Sequence, residues 1–179
     1  MKFISSGHCA VKGPNYDPGA PGVNNRWEAV ETVKVRNRVV EILGEAITDA
    51  DGESLSQYLK RIKPGSGSVV VEFHFNAGVP EATGTETLIE IDGDKMDKAC
   101  AKELTDATAR ILGIKNRGVK TEADTRHKRL ALMKEEGIIC LVEICFISNA
   151  KDMAAYDLHF EELCQAYAGI IKKYDEVIA

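Results

Sequence analysis

Apolar runs and apolar stripes alternate along this chain with short polar breaks. Phe3-Ile4 opens a short strand that gives way at Ser5-Ser6-Gly7-His8 to a loop rich in Gly and Pro, reaching about Asn25. Loops of that length without regular structure are commonly functional. From about Trp27 the apolar residues recur at helical spacing, with Val30, Val33, Val40 and Leu43 on one stripe and Val35, Val39 and Ile42 beside it. This predicts a helix with a wide buried face. Ser54-Leu-Ser-Gln57 is a capping-box pattern, in which the hydroxyl and the amide side chain satisfy free backbone N–H groups. It predicts a short helix to about Ile62, ended by Pro64-Gly-Ser-Gly-Ser68.

Val69–Phe73 and Thr85–Ile91 read as strands, and Asp94 as the N-cap of a helix that stops at Gly113. Ile138–Val142 is apolar throughout, as a central strand covered on both faces should be. Phe160, Leu163, Cys164, Tyr167, Ile170, Ile171 and Tyr174 form the stripe of a last amphipathic helix. The predicted order, strand, helix, helix, strand, strand, helix, strand, helix, indicates an α/β fold. We expect a mainly parallel twisted sheet of about five or six strands flanked by helices, forming a single domain over residues 1–179 with no repeats or linkers.

Composition narrows the function more than the fold. The 179 residues are 44% apolar, enough for one sizeable core. Their 23 basic and 28 acidic side chains give a net charge of −5, and no Lys/Arg run stands out, so no nucleic-acid footprint is expected. No stretch approaches the about 18 consecutive apolar residues of a membrane span, and MKFISSGH lacks the apolar core of a signal peptide. Cys9, Cys100, Cys140, Cys145 and Cys164 are odd in number and lack C-x-x-C spacing, which argues against a disulfide framework.

Candidate chemistry gathers where apolar strands end. His8 follows FISSG, His74 follows VVVEF and Glu143 follows IICLV. In open α/β sheets ligands bind beyond the carboxyl ends of the strands, so these three side chains are expected to face one cleft. Two imidazoles and a carboxylate suit zinc, which takes nitrogen and oxygen ligands and leaves a position for water in catalytic sites. A further ligand is required. Glu28 at the start of the first helix is the natural candidate, with Glu31 one turn on as the alternative. Taken singly each residue has an ordinary explanation: a strand-end His is commonly a hydrogen-bonded structural residue, and a first-turn Glu a partner of the helix dipole worth roughly 0.3–1 kcal/mol.

Taken together, five ordered segments resemble the zinc-dependent N-acetylmuramoyl-L-alanine amidases, the catalytic domains of bacterial autolysins and phage endolysins. These are SSGHCAVKGPNYDPGAPG, WEAVETVKV, HFNAG, GIKNRGV and VEICFISN. The resemblance spans nearly the whole chain. It implies one Zn²⁺ per chain held by His8, Glu28 and His74, with Glu143 as the catalytic carboxylate that takes a proton from water and returns it to nitrogen. The implied substrate is peptidoglycan, cut at the amide between the lactyl group of N-acetylmuramic acid and L-alanine. Asn76, Arg117 and Arg129 are its candidate substrate contacts. Two segments depart from the family: GEAITDADGES is short for the usual strand and loop, so no strand is expected near Ala46-Ile47, and Cys9 stands where a Gly is common.

Two other readings compete. One is a thiol hydrolase using Cys9 or Cys145 with a nearby His; the other is an inactive, wall-binding relative. Strand parity sets Cys140 and Cys145 on opposite faces, so they are not expected to bind metal jointly. His127, in TRHKR, is expected to be solvated, and His159 structural. The chain is expected to be a monomer with no wall-binding domain, made in the cytoplasm and acting on the wall after release, as a phage lysin does, or secreted if a leader was removed.

Overall fold

A computed structural model describes residues 1–125 and 128–178. In chain order it runs β1 (Lys2–Ser6), α1 (Glu28–Leu43), β2 (Ile47–Thr48), α2 (Leu55–Arg61), β3 (Val69–Asn76), β4 (Thr85–Ile89), α3 (Lys95–Leu112), β5 (Asn116–Thr121), β6 (Ile138–Phe146) and α4 (Ala150–Ile178). The strands form one six-stranded sheet in the order β2-β1-β3-β6-β4-β5. Its pairings are parallel except that of β4 with β6.

The capping signals act as expected. Ser54 and Gln57 form a reciprocal capping box at the start of α2, and Asp94 and Asp97 do the same for α3. Gly113 closes α3 in the left-handed conformation at φ 63°. Trp27 is the residue before α1 rather than its first turn. The long loop is pinned: Cys9 pairs with Asp17 and Pro21 with Trp27 as isolated bridges, and Val23–Asn25 makes one 3-10 turn.

Alternation along the strands divides the core in two. Ile4, Val69, Val71, Phe73, Cys140 and Val142 point to the face covered by α1, α3 and α4, where Val35, Leu104, Leu163, Tyr167 and Ile171 meet them. Phe3, Val70, Leu88, Ile139 and Leu141 point the other way, onto Tyr58 of α2, Ile62 just after it, and Leu132 and Met133. Each fully buried side chain of this kind contributes about 1.5–3 kcal/mol. On the second face the character changes partway along the sheet. Moving along the strands, Phe3 gives way to Ser5, Val70 to Glu72 and His74, Leu141 to Glu143, and Leu88 to Glu86. The same strands are a core floor at one end and a polar floor at the other.

Four expectations need correction. A strand does form at Ile47–Thr48, two residues long, paired with Phe3 and Ile4 at the sheet edge; a pair so short leaves no periodic signal. His74 and Glu143 are not at strand ends: β3 continues to Asn76 and β6 to Phe146, with polar residues alternating against Phe73, Phe75, Val142 and Ile144. Asn116–Thr121, to which the predicted order of elements assigned nothing, is a strand, and its partner β4 runs antiparallel to β6. Finally, Cys140 and Cys145 both reach the larger core. A bulge opposite His74 to Asn76 adds a residue to β6 and reverses the parity beyond it. They have different neighbours: Cys140 lies beside Cys100, and Cys145 Sγ lies 3.8 Å from Met153 Sδ.

Candidate functional site

The polar half of the sheet face holds the chemistry. His74 stands on β3 with Glu143 directly beside it on β6. Glu28 enters from the first turn of α1, and His8 from the residue after Gly7, beyond the end of β1. His8 adopts φ 69°, a left-handed conformation rare for a residue with a Cβ. One ligand atom from each of His8, Glu28 and His74 lies within 4.8 Å of the other two. Glu28 Oε1 is 3.0 Å from His74 Nδ1, and its Oε2 is 3.1 Å from His8 Nε2.

Main-chain groups fix the carboxylate between the rings. The Ala20 N–H donates to Glu28 Oε2 at 2.9 Å, and the Phe75 N–H donates to Oε1 at 3.0 Å. The outer nitrogen of each ring is also met by a carboxylate: His8 Nδ1 by Asp17 at 2.8 Å, His74 Nε2 by Glu72 at 3.0 Å. Glu31, the alternative ligand, is turned away; it pairs with Lys34 at 2.9 Å and Arg26 at 3.6 Å.

Glycine makes this closeness feasible at two places. A Cβ on Gly7 would lie 2.3 Å from His74 Cε1. Gly19, at φ 65°, would set one 2.6 Å from His8 Cδ2 and 2.8 Å from Glu28 Oε2. All three distances are below any real contact, so a side chain at either position displaces its neighbours.

The electrostatics follow from the packing. Burial acts to raise the Glu28 pKa, but the hydrogen bonds and charges of His74 and His8 outweigh it and hold the carboxyl well below its usual range. Burial acts to lower both histidines; Glu28, joined at His74 by Glu72 and at His8 by Asp17, reverses that and raises them. A divalent cation supplies the same compensation in place of protons. Two ring nitrogens and a carboxylate oxygen, convergent and individually oriented, are the donor set expected of a zinc site with positions left for other ligands.

Glu143 differs from these groups. Its Oε2 is buried and has no hydrogen-bond partner among the described residues. Burial pushes its pKa up to about 7, against the opposing charge of His74 and with the like charges of Glu28 and Glu86. The ordinary value is 4.5, so the folded state binds the proton more tightly than the unfolded chain. The stability cost of ionising it therefore sets in as pH rises from 4.5 and is complete above 7. A shift of that size corresponds to roughly 3 kcal/mol. In chelator, Glu143→Gln is thus expected to raise the melting temperature relative to the parent at pH 8 and to leave it little changed at pH 4. Equal melting temperatures at pH 8 would show that the carboxylate is solvated.

One cavity is lined by the histidines and another by Glu143. The first, of about 210 Å³, is lined by Ser5, His8, Tyr58, Glu72 and His74 among others. The second, of about 420 Å³, is lined by Asn76, Glu86, Leu88, Arg117, Lys120 and Glu143 with Asp124 and Thr125. Asn76 and Arg117 thus reach the cleft, where Glu86 accepts from Asn76 Nδ2 at 2.8 Å and from Arg117 Nε at 2.9 Å. Arg129 is exposed, 3.7 Å from Glu122, and lines neither cavity. His127 lies outside the described residues, and His159 sits at a kink in α4, 3.4 Å from Glu162.

Cys9 is buried with Sγ toward the carbonyls of Val11 and Asp51, and Cys145 is enclosed by core. Burial raises the Cys145 thiol well above its ordinary range, which disfavours the thiolate a nucleophile needs. The sequence reading gave no role to Glu72, Glu86 or Lys120. The signal for Glu72 was present: an acid interrupting VVVEF two residues before a histidine shares its face.

Comparison with known proteins adds independent findings. A family model described as N-acetylmuramoyl-L-alanine amidase matches residues 3–173. Among solved structures, a Neisseria meningitidis protein provisionally assigned as an N-acetylmuramoyl-L-alanine amidase is 31% identical, with a TM-score of 0.77 over 96% of this chain and 93% of that one. An N-acetylmuramoyl-L-alanine amidase of Nostoc punctiforme shares the fold at 21% identity and a TM-score of 0.76, covering 98% of this chain and 97% of the other. So does the catalytic domain of an endolysin targeting Clostridia difficile, at 19% identity and 0.72, covering 97% of each chain. No curated protein sequence matches.

Proposed function

Because the chain belongs to the N-acetylmuramoyl-L-alanine amidase family, we propose that it performs that hydrolysis with a zinc ion held by His8, Glu28 and His74 and with Glu143 as the proton carrier. The bond cut is the amide joining the lactyl group of N-acetylmuramic acid to L-alanine, and the substrate is peptidoglycan. One observation supports the assignment of roles: three convergent donors lie beside a buried carboxylate oxygen that has no hydrogen-bond partner among the described residues.

Held by those donors, zinc would supply a Lewis acid for the amide carbonyl and would lower the pKa of water towards about 7. The chain's own residues do the rest. Glu28, locked by two backbone amides, and the two oriented rings fix where the cation sits. Glu143 accepts a proton as water adds to the carbonyl carbon, and delivers it to the alanine nitrogen as the carbon–nitrogen bond breaks. Burial favours the protonated carboxyl of Glu143 and a neighbouring cation favours the carboxylate, opposing influences that suit a group which must both take up and release a proton. Asn76 and Arg117, on the wall beside Glu143, are the substrate contacts we propose from the expected set. Arg129 lacks that support.

Digestion of purified peptidoglycan followed by mass spectrometry tests the bond. The expected products are stem peptides with a free L-alanine amine and glycans with a free lactyl carboxylate. New reducing ends, or cuts between stem residues, would refute the assignment.

A further inference from the structure

Glu72 is 3% exposed, yet it is a carboxylate on the polar half of the sheet. Burying such a group costs several kcal/mol unless it is paired and hydrogen-bonded, so its partners show what it serves. Ser5 Oγ donates to Glu72 Oε2 at 3.0 Å from the directly paired position on β1. Glu72 Oε1 is 3.0 Å from His74 Nε2. The opposite ring nitrogen, Nδ1, faces Glu28.

We propose that Glu72 is a positioning residue for His74: it accepts the Nε2–H, fixes the ring plane and leaves the Nδ1 lone pair free for the cation. This rests on the reading of His74 as a metal ligand. Glu72 is not itself a ligand. It lies on the side of the ring away from Glu28, and its oxygens are not in the group of converging donors. Ser5 in turn anchors the carboxylate, so the orientation passes from β1 to β3 through one hydroxyl.

His8 offers an internal comparison. Its outer nitrogen, Nδ1, is met by Asp17, whose side chain is 61% exposed. A solvated carboxylate competes with water for its hydrogen bond, whereas a buried one does not. The two rings are therefore turned opposite ways and held unequally: His74 presents Nδ1 under a buried restraint, and His8 presents Nε2 under an exposed one. Partners of this kind typically change metal affinity by about 10–100-fold.

The test uses the zinc-loaded protein and its Glu72→Gln and Asp17→Asn variants, with affinity measured by competition against a chromophoric chelator. Glu72→Gln keeps the size of the side chain but removes its charge. Its zinc affinity is expected to fall about 10–100-fold, and that of Asp17→Asn to fall less. The cobalt-substituted Glu72→Gln protein should also show a shifted visible absorption band. A purely structural role would lower the melting temperature in chelator while leaving affinity and the cobalt band unmoved, and that result would overturn the proposal. Should Glu72→Gln not fold, Glu72→Asp carries the same test by withdrawing the oxygen one methylene from Nε2. His74→Ala separates the two readings. If it keeps zinc, the metal assignment itself falls; if it loses zinc while Glu72→Gln binds normally, only the positioning role falls.

Discussion

Glu143→Gln is expected to retain zinc and to lose roughly 10²–10⁴-fold in kcat, the usual contribution of a placed proton carrier. The amide has nearly the shape of the carboxyl and fits the same buried place on β6, so the histidines and Glu28 should remain where they are. What it cannot do is take a proton from water and return it to the departing amine. The loss should fall on kcat and leave KM near its original value, because the group acts on the transition state rather than on the bound substrate. Turnover of a soluble muramoyl peptide, read alongside zinc content by metal analysis, checks both halves. A variant that cleaves at the parental rate would remove Glu143 from the mechanism, and one that loses zinc would make it a ligand.

Stripping the metal should have the larger effect. Prolonged treatment with a strong chelator is expected to reduce amidase activity to background, and one equivalent of Zn²⁺ per chain to restore it. His74→Ala should neither bind zinc tightly nor regain activity. The site is built from three donors, and removing one leaves a histidine and a carboxylate, too few to hold the ion against water. Full activity in chelator would instead favour a thiol enzyme, against the enclosed position of Cys145 and the inward turn of Cys9. Because zinc would bind the folded chain alone, loading should also raise the melting temperature in proportion to the logarithm of its free concentration.

Much of this site was legible before any coordinates. His8, Glu28, His74 and Glu143 could be named because polar residues interrupt or follow apolar strands, an acid opens a helix after the long loop, and all four fall within segments that resemble the amidase family. The choice between Glu28 and Glu31 was not legible from spacing, since both face the first turn of α1. In the structure backbone amides of Ala20 and Phe75, distant in sequence, turn Glu28 toward the histidines, while Glu31 faces Lys34 and Arg26. The errors have different origins, and β2 was missed because two residues leave no periodic signal. β5 carries Val119 as its one large apolar residue, and the extensions of β3 and β6 carry His74, Asn76 and Glu143 where one face of the sheet floors a cleft; such strands look like loops when strands are sought as apolar runs. The Cys140–Cys145 parity failed for another reason, because a bulge inserts one residue without any residue type that announces it.

The two amides that clasp Glu28 also bear on how the ion arrives. A carboxylate already immobilised by the protein forfeits little conformational entropy on ligation, so occupancy should need no refolding of the loop or of α1. The apo and loaded forms should then superimpose closely. Exchange with free zinc would be governed by the strength of three bonds rather than by any slow opening of the scaffold.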